Sequence, residues 1–388
     1  MDTLPPVTPD LGTTPAEKPA TSRFTLPPLA TMKKIALPVG GVLAAALLIY
    51  AGAAYYQQRN RSLDCGSDSC PLTGKSRVNV IGLGATPTDS MDASTLNGLL
   101  VAPEKAIQRP LAVMIDNSTE ARPQAGLGQA DVVYEAPTEG GVTRYMAVYA
   151  DASKAVRVGP VRSARSYFAA VADELGAAYS HVGGSPDAFT EIRSDKLVDL
   201  DQFLIGSDVY QRDLSRHVSL EHTVYSSTDK LWTYATTSLK ASATKNLAPW
   251  TFQDDLALSK RPAAQSVGVS VSTADYAVSW QYDRATNRYL RSLAGQPQKD
   301  ANTGLQIGAK TVILQTVAST IGKEGENPSW QVGSSGPVTV IENGAAVKGT
   351  WKIAVDGRTR FYDSTQREIP LVRGIIWVQL IPAGTVIS

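Results

Sequence analysis

The chain has 388 residues, with 37 Lys and Arg against 36 Asp and Glu, a formal net charge of +1. The length suits about two domains, and the balanced charge argues against a nucleic-acid binder and against an acidic solvating tail. Two cysteines, Cys65 and Cys70, and three histidines, His181, His217 and His222, are too few for a Cys/His zinc cage, so neither a metal nor another cofactor is expected.

Residues 1–31 are rich in Pro, Thr and Ala and carry few bulky apolar side chains. Such a segment cannot offset the entropy of ordering, so a disordered cytoplasmic tail is expected. Residues 32–56 follow, uncharged from Ile35 to Tyr56 and long enough to span a bilayer as one transmembrane helix. Tyr50, Tyr55 and Tyr56 suit the interface, with Arg59 and Arg61 beyond it. The same run also reads as a signal peptide starting at Met32, with Ala51–Ala53 as an A-x-A cleavage site. The uncleaved anchor is the expectation, and either reading places the rest outside the cytoplasm. Cys65 and Cys70 can pair in that oxidising compartment or remain two free thiols. Residues 57–100, with Gly, Ser, Thr, Asp and Pro and little periodicity, read as a stalk.

From residue 101 the pattern becomes that of a folded domain. Pro110–Asn117 is a short apolar run ended by turn formers, the mark of a buried strand. Ala130–Ala136 reads as a second strand, Glu139–Gly141 as a turn, and Val142–Asp151 as a third strand. The Gly159-Pro160 step predicts a helix start, because proline at the first helical position loses no needed N–H. Val161, Ala164, Phe168, Val171, Ala172 and Leu175 then recur at helical spacing up to Gly176. A strand through Val182, the pair Gly183-Gly184 and a helix capped by Ser185 repeat the pattern. Residues 101–250 are therefore expected to form an α/β (α+β) domain.

Residues 251–388 read as mostly β. Tyr276–Asp283, Arg288–Leu293, Thr311–Ala318 and Gly374–Pro382 have strand character, and Asn343-Gly344 and Asp356-Gly357 are hairpin-turn signals. Tyr276, Trp280, Tyr282, Trp351 and Trp377 are expected to pack the β core.

The stretches Arg109–Tyr149, Val158–Phe168 (VGPVRSARSYF) and His181–Pro186 (HVGGSP) together resemble the N-terminal domain of the YerB family of bacterial envelope proteins. Tyr210–Asp213 and Glu221–Ser227 are similar to its downstream segment, and GTWKI and GIIWVQLIP to the family's smaller C-terminal domain. The resemblance spans nearly everything from residue 100 onward. It implies a YerB-like fold and an extracytoplasmic location and carries no activity, since the domain is one of unknown function. Two departures stand out. Many relatives look like lipoproteins, whereas this chain has an apolar segment, and a Pro-His-Asn-like phrase is replaced by Glu221-His222-Thr223.

The candidate chemistry lies in the α/β domain. Arg157, Arg162 and Arg165 crowd an expected helix start, where a cation costs roughly 0.3–1 kcal/mol. Either internal carboxylates such as Glu135 and Glu139 answer them, or an external anion does. Gly183, Gly184 and Ser185 offer backbone donors at a strand-to-helix loop, and Arg144 on the third strand joins this ligand-binding set. Neither loop matches a P-loop. Asp116, Glu135, Glu139 and His181 are the acid–base candidates for catalysis. Ser163 and Ser185 lack the setting of a nucleophile elbow. Arg212, Asp213 and His222 are either expected around the site or are exposed loop charges.

The expected function is that of a membrane-anchored envelope protein binding an anionic ligand such as a cell-wall component. A cell-wall hydrolase or lyase and an envelope protein-interaction scaffold with a protein partner are the alternatives.

Overall fold

The computed structural model describes residues 90–388 apart from Lys154, residues 264–265 and residues 321–327. The expected tail, membrane segment, both cysteines and most of the stalk lie outside the described residues. Among the described residues no helix is long and apolar enough to cross a membrane. Gly84–Ser388 forms one compact unit.

The strands used below are β1 Leu111–Asp116, β2 Val132–Pro137, β3 Thr143–Tyr149, β4 Ala178–His181, β5 Val198–Asp201, β6 Ser266–Ser270 and β7 Val278–Asp283. They continue with β8 Arg288–Leu293, β9 Thr311–Thr316, β10 Ser335–Glu342, β11 Ala345–Ile353, β12 Thr359–Asp363 and β13 Ile376–Ile381. The helices α1 Ser166–Glu174 and α2 Pro186–Ser194 follow β3 and β4.

One ten-stranded mixed sheet runs in the order β12-β11-β10-β9-β13-β2-β3-β1-β4-β5. The two sequence halves meet where β13 pairs in parallel with β2, Ile376 opposite Val132 and Gln379 opposite Glu135. β1, β2, β4, β5, β9 and β13 all point the same way, so their C-terminal ends share one edge of the sheet.

β1 explains the layering. Its run LAVMID is buried at every position, as expected of a strand covered on both faces. Alternate side chains go to opposite faces. Ala112 and Met114 join Phe168, Val171, Ala188 and Ile192 of the two helices. Leu111, Val113 and Ile115 join a second core with Trp280, Tyr282 and Tyr289 from β7 and β8. Those strands belong to a smaller sheet in which β6, β7 and β8 are antiparallel neighbours. Trp280, Trp351 and Trp377 are all fully buried, which fits core packing.

The helix expected at Pro160 begins instead at Ser166, with Arg165 as its N-cap. β1 and β4 pair only from Leu111–Ala178 to Val113–Ser180. Beyond that they part, and the extended residues 160–165 fill the gap. Pro160 O accepts from Asp116 N at 2.9 Å, Arg162 N donates to Met114 O at 3.0 Å, and Ala164 N donates to Gly183 O at 2.9 Å. Those strand ends would otherwise leave polar backbone unpaired. This competes successfully with the helical spacing of Val161 and Ala164, and a Gly-Pro step is equally a turn signal. α2 starts as expected, with Ser185 Oγ accepting from Ala188 N at 3.4 Å and Pro186 in its first turn.

Candidate functional site at the C-terminal edge of the main sheet

Asp116 ends β1, on the same face as Met114. Arg144 is its cross-strand partner on β3, so the sheet alone sets a carboxylate beside a guanidinium. The inserted segment brings in Arg162, and the turn Leu220–His222 brings in His222.

Asp116 is only 1 % exposed. Its Oδ1 accepts from Ser118 N at 2.9 Å. Its Oδ2 lies 2.6 Å from His222 Nδ1 and 3.2 Å from Arg162 Nε. Burial alone would push the carboxyl up, but the Ser118 N–H, the Arg162 charge, the His222 hydrogen bond and the Arg144 charge together hold it below its ordinary value. Ser118 Oγ is 3.1 Å from His222 Nδ1. The outer nitrogen of His222, Nε2, faces Glu221 Oε1 at 3.4 Å and Glu120 Oε2 at 3.8 Å. A histidine oriented through Nδ1 by a buried carboxylate has its other nitrogen available for proton transfer at the rim.

Arg144 is 5 % exposed. Its Nη1 donates to Ser163 O at 2.9 Å, its buried Nε has no hydrogen-bond partner, and among the described residues it forms no ion pair. Burial, reinforced by the Arg165 charge, lowers it to about 10 despite the attraction of Asp116. Arg162 is shared between Asp116 and Glu221, whose Oε2 lies 3.5 Å from its Nη1. Its buried Nε makes no hydrogen bond, so the approach to Asp116 is an ion pair without hydrogen-bond geometry.

The remaining sequence candidates have internal partners. Arg165 grips Glu139 with two bonds, one from Nε and one from Nη2 to Oε2 at 2.7 Å. Burial would raise the Glu139 carboxyl, and the Arg165 hydrogen bond and charge bring it below its ordinary value. Arg157 pairs with Asp213 at 2.5 Å and lies 3.8 Å from the Tyr225 ring centroid. Glu135 points to the other face of the sheet, fully buried, where Arg291 Nη2 donates to it at 2.9 Å and Trp377 Nε1 at 3.0 Å. His181 is also fully buried, with Nε2 2.9 Å from Asp199 Oδ1 and Nδ1 2.8 Å from Gly183 O. Glu135 and His181 are thus not brought to Asp116 and Arg144.

Gly183 and Gly184 serve the chain's own packing. Gly183 has φ +60°, a Cβ there would meet the Phe203 ring at 3.1 Å, and one at Gly184 would meet Ala164 Cβ at 3.1 Å. Gly183 N donates to Asp201 Oδ1 at 2.9 Å. Sequence reasoning gave His222 only a peripheral place and passed over Glu120 and Glu221. No spacing links them to Asp116, and the EHT phrase was the one available signal. Among the described residues no group of His, Cys, Asp and Glu suits a metal ion.

Residues 96–242 match the model of the protein of unknown function (DUF3048) N-terminal domain, and residues 267–378 that of its C-terminal domain. YerB of Bacillus subtilis strain 168, described as a candidate lipoprotein, is 29% identical over 294 residues, which cover 74% of this chain and 85% of YerB. The crystal structure of Bacillus subtilis YerB superposes with a TM-score of 0.68 at 26% identity, covering 76% of this chain and 99% of that one. Nearly all of the crystallised relative is therefore accounted for by part of this chain. With both domain models matched in order and the fold shared, the chain belongs to the YerB family, the proteins built from the DUF3048 N- and C-terminal domains.

Proposed function

We propose that this chain is a bacterial envelope protein that binds an anionic cell-wall component at the edge formed by Asp116, Arg144, Arg162 and His222. The envelope assignment follows the relative described as a candidate lipoprotein and the uncharged run Ile35–Tyr56. One observation carries the ligand class: Arg144 is a nine-tenths-buried guanidinium with an unused Nε and no ion pair among the described residues. A buried cation without a paired anion is costly, by several kcal/mol per ion. A ligand carboxylate or phosphate would offset that cost and give the fork its acceptors. The position supports the reading, because open α/β sheets bind ligands at the C-terminal ends of their parallel strands.

Titration of the 84–388 unit with purified peptidoglycan fragments bearing free carboxylates tests it. Binding should fall at least about tenfold in Arg144→Met, the loss expected for one charge-assisted contact. Equal affinity in a folded variant would sink the reading.

The 2.6 Å contact between Asp116 and His222 favours a second reading, acid–base catalysis on the bound ligand with His222 Nε2 exchanging the proton. Soluble fragments released from purified wall by the wild type, and not by His222→Gln, would support it. An equal yield from the variant would exclude His222.

A further inference from the structure

A cleft of about 410 Å³ opens between residues 122–124 and the chain that leaves β8, residues 293–299. That volume lies within the range of small-molecule sites. Its walls are apolar, from Pro123, Leu293, Ala294 and Pro297.

The base is polar and fixed. Gln124 is fully buried and Gln298 is 7 % exposed. Gln298 Nε2 donates to Gln124 Oε1 at 3.2 Å and to Tyr145 Oη at 3.2 Å, and its Oε1 accepts from Arg291 Nε at 2.6 Å. Gln124 Nε2 donates to the Asp116 carbonyl at 3.1 Å. With those amide groups already engaged and held by the core, the cleft is preformed and a ligand entering it does not have to order its floor.

Charge lines the cleft with one sign. Arg122 sits 5.1 Å from the Tyr276 ring centroid, and its Nη2 donates to the carbonyls of Asn117 at 3.1 Å and Asp275 at 2.9 Å. Carbonyl oxygens fix the guanidinium without cancelling its charge, and among the described residues it has no ion pair. Lys299 is exposed and has neither an ion pair nor a side-chain hydrogen bond among the described residues. Two cations without ion pairs among the described residues, beside an apolar slot, attract an anion, repel a cation, and leave the apolar walls to cover a ring or a short chain.

We infer that this cleft binds a small amphipathic anion, with its apolar body between Pro123, Leu293 and Pro297 and its anionic group toward Arg122 and Lys299. The inference does not depend on the Arg144 site, because no residue lining the cleft is one of the four side chains of that site.

Two fluorescent probes test it on the 84–388 unit. Anilinonaphthalene sulfonate carries an apolar body and an anion; N-phenylnaphthylamine carries a similar body without the charge. The wild type should bind both saturably with one site. Ala294→Trp, at an exposed position, should fill the slot and abolish binding of both. Lys299→Glu, also exposed, should weaken the sulfonate about tenfold or more while leaving the neutral probe unchanged, because only a charge-assisted contact is lost. Circular dichroism and thermal melts of each variant separate a blocked cleft from a damaged fold. No saturable binding by the wild type, or the same affinity in both folded variants, overturns the site. Loss of both probes in Ala294→Trp with no change of the sulfonate in Lys299→Glu overturns the anion assignment.

Discussion

Asp116 Oδ2 and His222 Nδ1 are 2.6 Å apart, although 106 positions separate them in the chain. The contact ties the end of β1 to the Leu220–His222 turn, and Arg162 approaches the same carboxylate from the inserted segment. One buried acid is thus in contact with two basic side chains, Arg162 and His222, while Arg144 stands opposite it on β3 without an ion pair among the described residues.

Asp116→Asn should therefore destabilise the fold at neutral pH, by about 3 kcal/mol if Arg162 loses its counter-charge and His222 its acceptor. The pH dependence has a definite sign. The folded-state pKa of Asp116 lies below its ordinary value, so the unfolded chain binds the proton more readily. The stabilisation is complete above the ordinary aspartate range, about 3.9, and is lost as pH falls through the lowered folded value. Urea unfolding followed from pH 7 downward should show a steeper acid loss in the wild type than in Asp116→Asn. Parallel curves would mean that the Asp116 charge contributes nothing.

Arg165 and Glu139 form a different kind of pair, a two-pronged fork at the start of α1. This pair answers for part of the positive charge at the helix start without any ligand. In a double-mutant cycle of Arg165→Met and Glu139→Gln, the coupling should be about 1.5–3 kcal/mol, the scale of hydrogen bonds to charged groups. A coupling near zero would leave Arg165 available to a ligand.

These two pairs show how far the sequence alone reaches. β1 was legible because an unbroken apolar run can only be buried on both faces. α2 was legible because Ser185, Pro186 and Asp187 each favour a helix start. α1 was misplaced by six residues because the backbone needs of β1 and β4 beyond Val113 and Ser180 are tertiary and leave no periodic trace. Asp116 and Arg144 were visible as a strand-end acid and a strand arginine, but nothing local makes them neighbours. His222 was the least legible, since its role depends on a turn folding back across the sheet edge. The β13–β2 pairing is hidden for the same reason: both strands are uniformly apolar over most of their length and neither specifies its partner.

Glu135 and Arg291, both fully buried between the sheets, form an ion pair at 2.9 Å. Arg291 also lies 4.5 Å from the Trp377 ring centroid and 5.2 Å from that of Trp280. Removing one charge leaves the other without its partner in a dry core, so Glu135→Gln should cost about 3–5 kcal/mol. Replacing both residues by Met removes the second charge as well and should recover much of that loss. Denaturant midpoints of the single and double variants decide it. A double variant no better than the single would show that Gln298, which accepts from Arg291 Nε at 2.6 Å, and Thr143, whose hydroxyl donates to Glu135 Oε1 at 3.2 Å, depend on the pair for their own hydrogen bonds.

Gly183 and Gly140 separate backbone strain from close approach. Both have positive φ, +60° and +63°, but a Cβ at Gly183 would meet Phe203 at 3.1 Å whereas one at Gly140 meets nothing within 4 Å. Left-handed backbone alone costs a non-glycine residue roughly 1–2 kcal/mol, so Gly140→Ala should show about that loss. Gly183→Ala should lose as much and also displace the exposed Phe203 ring beside the loop. Thermal unfolding gives the first quantity for each variant, and the chemical shifts of the Phe203 ring give the second. A Gly183→Ala protein with an unmoved Phe203 resonance would mean that the glycine answers only to its φ, and that the neighbouring ring does not dictate the shape of the Gly183-Gly184 loop.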